Sequence, residues 1–115
     1  MSLKLELLLA EIEGKVLTGN SDLQKINVTG GYASDLLSDV MGNSREGDAW
    51  ITIMRHLNVI AVASMVGLPV IIFARNTEPE KTIIEKAEAE GICLISSPLS
   101  SFEISGKLYI LLNQK

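Results

Sequence analysis

The most constraining feature of this sequence is an uncharged run from Leu57 to Ala74, eighteen residues long. That length reaches the lower end of what a membrane-spanning helix requires. However, Pro69 lies two-thirds of the way along the run, and a proline inside a helix removes a hydrogen bond and clashes with the preceding turn. We therefore predict a buried helix over residues 55–66 and a short strand over residues 70–73, both inside a protein core and not in a membrane.

Apolar strands and amphipathic helices alternate along the rest of the chain. The patterns predict strands over residues 15–18, 26–29, 49–53, 70–73 and 92–95, and helices over residues 5–12, 34–41, 55–66, 78–90 and 100–112. Two of the helix starts have capping-box spacing, Thr77 with Glu80 and Ser100 with Glu103. Because strands linked by helices form parallel sheets, we predict an α/β fold, a three-layer sandwich with a mainly parallel sheet of about five strands and helices on both faces.

Length, charge and cysteine content narrow the class of protein. The chain has 115 residues, which suits a single domain over residues 1–115. A net charge of −4 and the lack of a basic stripe predict no nucleic-acid partner. Cys93 is the only cysteine and cannot form an internal disulfide, and glutamates interrupt the leucines of the N-terminal segment, so that it does not resemble a signal peptide. We expect a cytoplasmic protein without membrane contact.

One glycine-rich segment has the composition of an anion site. Thr29-Gly30-Gly31 precedes a predicted helix that starts near Ser34, and a glycine turn at a helix N-terminus can hold an anion on backbone N–H groups. The spacing matches neither of the common phosphate-binding glycine patterns. The alternative interpretation is that the glycines serve only a turn or a bulge.

Acidic residues and the single histidine suggest a second kind of chemistry. Asp35 and Asp39 lie four residues apart on one predicted helix face and could act as an acid–base pair, or could simply form a solvated face. We predict no metal site, because neither a second carboxylate cluster nor a histidine at metal-binding spacing accompanies them. His56 could serve as a base with Asp35 or Asp39, or could be a structural hydrogen-bonding group.

Two further polar runs come after predicted strands and precede predicted helices. They are Arg75-Asn76-Thr77 and the segment from Ser96 to Ser101. Ligands of open parallel sheets bind at the carboxyl edge of the strands, where both runs are expected to lie. Helix caps and turns alone would also explain their composition.

Several of these segments match a known family pattern. The chain from Lys15 to Leu112 resembles the DRTGG domain, which is similar to the N-terminal domain of HPr kinase/phosphorylase. The resemblance rests on Gly31–Gly42 and Ala49–Ile53, and on the later Glu90-Gly91-Ile92 and Phe102-Glu103. It implies an α/β fold and a regulatory, nucleotide-responsive or dimerising module rather than a catalyst.

The chain departs from the motif that gives this family its name. The motif has Gly-Asp-Arg before the central helix and Thr-Gly-Gly after the next strand, whereas this sequence has Trp50-Ile51-Thr52 and Ala74-Arg75-Asn76 in those places. The P-loop of the kinase is absent from the sequence, so we do not expect HPr kinase activity.

The sequence as a whole favours a non-catalytic regulatory module, a homodimer that binds a small anionic or nucleotide ligand, with an adenine nucleotide as the candidate. The expected ligand-binding residues, polar groups and one flat aromatic side chain around the strand ends, are Asp35, Ser38, Asn43, Trp50, Thr52, His56 and Asn58. The first alternative is a protein-interaction subunit whose helix with Ala61-Val62-Ala63 packs against its own copy or a partner. The second is a small enzyme that uses His56 with Asp35 or Asp39.

Overall fold

The structure, a computed structural model, describes residues 2–114. The strands are β1 (Leu3–Lys4), β2 (Lys15–Val16), β3 (Asn27–Val28), β4 (Gly30–Ala33), β5 (Asp48–Thr52), β6 (Val70–Phe73) and β7 (Cys93–Ser96). The helices are α1 (Leu5–Glu11), α2 (Leu37–Asn43), α3 (Asn58–Val66), α4 (Lys81–Glu90) and α5 (Ser101–Leu112). The uncharged run therefore becomes α3 and β6, as predicted, although the helix begins at Asn58 rather than Arg55.

The main sheet has five strands in the order β2-β7-β6-β5-β4. Strands β4 to β7 are parallel, with Trp50 between Tyr32 and Ile71, and only β2 runs antiparallel to its neighbour. Helices α2, α3 and α4 connect successive parallel strands, so the chain moves across the sheet in one direction. The predicted α/β fold with a mainly parallel sheet is confirmed.

Each central strand contributes side chains alternately to the two faces of the sheet. Ile51 and Ile72 pack with the residues of α1 and α5 on one face. Trp50, Ile71 and Phe73 pack with α2, α3 and α4 on the other. Because both faces are covered, β5, β6 and β7 are buried at every position and show no polar alternation in sequence.

Helix α3 owes its apolar character to its position between its two neighbouring helices. It contacts both α2 and α4 and buries Val59, Ile60, Val62 and Ala63. The helix ends at Gly67, whose positive φ of 91° suits glycine and allows the chain to turn back into β6. Within residues 2–114, none of the helices has both the length and the apolar character needed to cross a membrane.

The edge of the sheet differs from the prediction. Of the predicted strand 26–29, only Asn27–Val28 is extended, and it pairs with β1 in a separate two-stranded sheet. One of the two edge strands of the main sheet is β4, which contains the two glycines predicted to form a turn onto a helix, so that prediction is wrong. The glycines permit close packing, because a Cβ on Gly31 would lie 2.5 Å from Leu108 of α5.

The two predicted capping boxes also differ in outcome. At α5, Ser100 Oγ accepts from the Glu103 amide and Glu103 Oε1 accepts from the Ser100 amide, both at 3.1 Å, which confirms the prediction. The box predicted from Thr77 and Glu80 is wrong. Glu80 itself is the N-cap of α4 and no side chain caps that helix.

Candidate functional site

The carboxyl ends of the four parallel strands lie along one edge of the sheet. Four connecting segments extend from them, residues 34–36 after β4, 53–57 after β5, 74–80 after β6 and 97–100 after β7. This edge is the usual place for ligands in an open parallel sheet. Its two halves are constructed differently.

The half beyond β6 and β7, here named the closed half, is filled by the chain itself. The Arg75 amide donates to the Leu99 carbonyl and the Asn76 amide to the Ser97 carbonyl, both at 2.8 Å. The Ser97 hydroxyl, fully buried, donates to the Ile12 carbonyl at 2.6 Å and accepts from the Leu99 amide at 3.1 Å. The two polar runs predicted at this edge therefore bind each other and α1.

Two residues of the closed half have an unusual backbone. Arg75 and Asn76 have φ of 58° and 57°, in the left-handed region that favours glycine. These are the places where the DRTGG motif has its glycines. The conformation therefore fits the family pattern, although this chain has side chains there.

The half beyond β4 and β5, here named the open half, contains a cleft of about 940 Å³. Three segments line it: Asp35 after β4, the whole loop 53–57 after β5, and the beginning of α4 with the residues before it. The last segment contributes Glu78, Glu80, Thr82, Ile83 and Lys86. Of the predicted ligand-binding residues, Asp35 and His56 line this cleft.

Hydrogen bonds of Asp35 and Thr52 fix the start of loop 53–57 in the open half. The Thr52 hydroxyl, fully buried, donates to Asp35 Oδ1 at 2.7 Å, and the Ile53 amide donates to the same oxygen at 3.0 Å. The Met54 amide donates to Thr52 Oγ1 at 3.1 Å. These bonds fix where loop 53–57 leaves the sheet, so Thr52 is a positioning residue for the cleft.

Only some of the charged side chains around the cleft form ion pairs. Glu78 pairs with Lys15 at 3.5 Å and Lys86 pairs with Glu90 at 3.7 Å, both at the surface. Arg55 forms no ion pair with any residue in the range 2–114. At the start of α4, the Ile83 and Ile84 amides donate to the Glu80 carbonyl. The amides of Lys81 and Thr82, the first two residues of the helix, have no acceptor in the described part of the chain.

Trp50 does not reach the cleft. Its side chain is fully buried in the core under α2, α3 and α4, and its indole N–H donates to the Ser34 carbonyl at 2.8 Å. The flat aromatic surface expected of a ligand-binding residue is therefore covered by the protein itself. The local sequence of a central strand does not indicate whether helices cover the face on which a given side chain lies.

The remaining candidates lie on or near α2 and α3, outside the cleft. Ser38, Asn43 and Asn58 are exposed. Tyr32 donates to Asp39 Oδ1 at 2.8 Å and Asn43 donates to the same oxygen at 3.0 Å. Hydrogen bonds, from Ser34 first and then from Tyr32, hold the pKa of the Asp39 carboxyl below its usual value, whereas the hydrogen bond to Asp39 raises the pKa of Tyr32.

The structure separates Asp35 from Asp39. Asp35 binds the end of β5, whereas Asp39 binds Tyr32 of β4 and Asn43 of its own helix. Asp35 and His56 line the same cleft, but no hydrogen bond joins their side chains in the described residues. Across residues 2–114, no three side chains of the metal-binding types form a group.

The sequence interpretation missed the contribution of α4 to the cleft. Thr82 and Lys86 lie about thirty residues after the loop they face, and their helical pattern indicated only a surface helix. A signal was nevertheless present. Successive right-handed crossovers place α3 and α4 side by side on one face of the sheet, so the start of α4 must lie near the start of α3.

Comparisons with known proteins agree with this fold. Residues 56–112 match the family model described as HPr Serine kinase N terminus. The structure is also similar to the CBS and DRTGG domains of the regulatory region of Clostridium perfringens pyrophosphatase, complexed with the activator diadenosine tetraphosphate. The TM-score is 0.75 at 19% identity, over 95% of this chain and 46% of that one, so this chain spans under half of its relative's length. No curated protein matches the sequence.

The likeness at this identity establishes the fold and not the ligand. The family match covers the second half of the chain, and the structural match covers nearly all of it. Together they confirm the resemblance that the sequence indicated.

Proposed function

We propose that this chain, which has the DRTGG type of fold and resembles the HPr kinase N terminus, is a single-domain cytoplasmic regulatory module that works without catalysis. Its ligand is a small anion, with an adenine nucleotide as the leading candidate, and its binding site is the cleft of the open half. The protein acts as a homodimer. The observation that carries the ligand proposal is a large cleft at the carboxyl edge with Arg55, a cation that forms no ion pair within residues 2–114, in its wall.

The polar side of the cleft suits a phosphate group. Arg55 can bind two phosphate oxygens at once through its planar guanidinium, and Lys86, which pairs with Glu90 at the surface, adds a second positive charge to the cleft lining. The free amides at the start of α4 and the Thr82 hydroxyl lie at a helix N-terminus, which favours negative charge. Of the three carboxylates that line the cleft, Asp35 accepts from Thr52 and Glu78 pairs with Lys15, while Glu80 forms no ion pair with residues 2–114.

The apolar side of the cleft suits a flat ring. Ile53 and Leu57 line it and leave 45% and 55% of their surface exposed, although both are large hydrophobic residues. Met54 and Ile83 extend the same lining. Exposed apolar side chains beside convergent polar groups are typical of sites for small organic ligands. An adenine base on this lining with its phosphates near Arg55 would use both sides of the cleft.

The ligand of the comparison structure is one candidate to test. That regulatory region is complexed with the activator diadenosine tetraphosphate, which contains adenine and phosphate groups. Shared fold at low identity does not transfer the ligand. The chemistry of this cleft independently supports the same class of molecule.

Asp35, Thr52 and His56 keep a place in the proposed site. Asp35 and Thr52 position the loop, and His56 contributes a ring N–H donor at the cleft wall. The alternative that His56 is the base of a small enzyme predicts that His56→Ala abolishes a turnover. The regulatory proposal predicts a weaker ligand affinity and no turnover of the bound nucleotide, which chromatography of the nucleotide after incubation distinguishes.

Thermal shift and calorimetric titration with AMP, ADP, ATP and diadenosine tetraphosphate test the ligand proposal. We expect at least one of these to raise the melting temperature and Arg55→Ala to weaken its binding about tenfold, the effect of one lost charged hydrogen bond. Arg45→Ala is the matched control, because Arg45 is an exposed arginine that precedes β5 at the opposite edge of the sheet. The absence of any stabilisation, or equal weakening by both substitutions, would contradict the proposal.

A further inference from the structure

Helix α5 is apolar on two sides, and this chain covers only one of them. Ile104 and Leu108 point into the core and are fully or almost fully buried. On the opposite side, Phe102 is 87% exposed, Tyr109 70% and Ile110 62%. Three large hydrophobic side chains on one helix face exceed the scattered exposure that is normal for a surface helix, and contiguous apolar surface marks interaction sites.

The residue at the centre of this outward face is Gly106. At 3.6 residues per turn, positions 102 and 110 lie on either side of it, four residues before and four after. Glycine inside a helix lowers its stability. A Cβ at this position would meet no atom of residues 2–114 within 4 Å, so no contact in the described part of the chain requires the glycine. Its lack of a side chain instead leaves space for an element outside the chain to approach closely.

We infer that the α5 face, formed by Phe102, Gly106, Tyr109 and Ile110, pairs with the α5 face of a second copy. The two helices run antiparallel and cross at Gly106 on a twofold axis. Such an axis places position 106 − k of one copy opposite position 106 + k of the other, so Phe102 meets Ile110 twice. The same symmetry places Tyr109 opposite Glu103, whose carboxylate can accept a hydrogen bond from the phenol.

Charge also favours a second copy as the occupant. The chain carries a net charge of −4, so two copies repel each other over most of their surfaces. The α5 face is uncharged apart from Glu103 at its margin, and the twofold axis places a phenol and not a carboxylate opposite it. Two phenylalanines, two tyrosines and two isoleucines bury enough area for a modest dimer, since each aromatic ring contributes on the order of 150–250 Å².

The competing apolar surface lies on the other face of the sheet. Leu36, Met41, Leu57 and Met65 are exposed on or next to α2 and α3. Polar residues interrupt that surface, since Ser38, Asn43, Asn58 and Ser64 are exposed among them. Between Phe102 and Ile110, the polar residues are Glu103 at the margin of the α5 face and the partly covered Ser105 and Lys107 on its two flanks. This inference rests on the homodimer proposed above and assigns the surface that forms it.

Gly106→Gln tests the surface by sedimentation velocity over a concentration series. We expect the native protein to dimerise and the variant to need at least tenfold higher concentration to do so. At a dilution where both are monomeric, the variant should melt at a higher temperature, because a helix former replaces glycine. Gly42→Gln is the matched control: Gly42 is also an exposed helical glycine with no atom within 4 Å of a Cβ, and its replacement should leave self-association unchanged.

Gly106→Cys tests the register of the pair. The twofold axis places the two introduced thiols side by side, so mild oxidation should give a cross-linked dimer, whereas Gly42→Cys should remain a monomer on a denaturing gel. Cys93 is buried and does not compete. A dimer that persists unchanged in Gly106→Gln overturns the α5 surface and leaves the proposed homodimer intact. A native protein that is monomeric at every concentration overturns both, and neither result affects ligand binding at the cleft.

Discussion

The two halves of the carboxyl edge show how one sheet can provide both a fixed core and an accessible site. In the closed half, the connecting segments after β6 and β7 bind each other through backbone hydrogen bonds of 2.8 Å, with a buried serine beneath them. In the open half, a buried threonine holds only the start of loop 53–57, and the rest of that loop faces a cleft. In the closed half, the Arg75, Asn76 and Leu99 amides are all hydrogen-bonded within the chain, whereas in the open half the Lys81 and Thr82 amides and the Arg55 guanidinium have no partner among residues 2–114.

The difference arises from the connecting segment at the end of each strand. Segment 97–100 leads directly into a capped helix, and its Ser97 hydroxyl, Leu99 amide and Ser100 amide are all hydrogen-bonded within the chain. The five-residue loop 53–57 leads into α3, which has no side-chain cap. Connecting segments of similar polar composition are therefore hydrogen-bonded within the chain in the closed half and line a cleft in the open half.

The largest effect should come from Ser97→Ala in the closed half. The substitution leaves the Ile12 carbonyl and the Leu99 amide without their partner in the core, which should cost about 2–3 kcal/mol in the free energy of unfolding. Urea denaturation measures this value. Ser38→Ala, on the exposed side of α2, is the control and should change stability by less than about 0.5 kcal/mol. Equal losses in the two variants would show that the closed half is not held by its buried serine.

A smaller loss is expected from Thr52→Val in the open half. Valine keeps the shape of threonine but removes the bonds to Asp35 and Met54, for a loss of about 1–2 kcal/mol, because Asp35 retains the Ile53 amide. The same variant should weaken nucleotide binding, since loop 53–57 loses its support. Thr77→Val, whose hydroxyl makes no hydrogen bond with the described residues, is the control for stability and affinity. An unchanged affinity in Thr52→Val would mean that the loop does not shape the site.

Arg75→Gly should change stability in the opposite direction. Glycine adopts a φ of 58° without steric cost, so the substitution removes strain of about 1 kcal/mol from the folded state. Glycine also raises the conformational entropy of the unfolded chain, which offsets part of this gain in stability. We expect a net gain of about 0.5 kcal/mol in urea denaturation. Arg55→Gly is the matched control and should lose stability, because Arg55 does not have a positive φ. A loss in Arg75→Gly equal to that in Arg55→Gly would indicate that the Arg75 side chain, and not the backbone, holds the closed half.

The smallest effect concerns acid stability at α2. The Asp39 carboxyl has a lowered pKa in the folded protein, so it contributes stability at pH values above its ordinary pKa. That contribution is lost as the pH falls through the lowered value. Melting temperature measured against pH should therefore decline less steeply at acidic pH in Asp39→Asn than in the native protein. Parallel curves would show that the bonds from Ser34 and Tyr32 do not stabilise the ionised form.

The sequence allowed prediction of the central elements because their signals are local. Runs of apolar residues bounded by glycines define α3, β6 and β7, and Gly67 and Gly91 have the positive φ that helix ends favour. Strand β4 was missed because Gly-Gly-Tyr-Ala has the composition of a turn. Pairing with β5 and packing under Leu108 make it a strand, and neither contact is visible in a local pattern.

The places of the predicted site residues depend partly on local position and partly on packing. Asp35 and His56 come soon after strands, so the position of the carboxyl edge was enough to bring them to the cleft. The contribution of Lys86 depends on how α4 lies beside α3, and the burial of Trp50 depends on which face of β5 the helices cover. Both are properties of the packed structure.

Amide chemical shifts of isotope-labelled protein, titrated with diadenosine tetraphosphate, test most directly whether the open half binds the ligand. We predict the largest changes at residues 53–57 and 80–86, with residues 75–76 and 97–100 nearly unchanged. Changes confined to the closed half, or spread evenly over the sheet, would contradict this account.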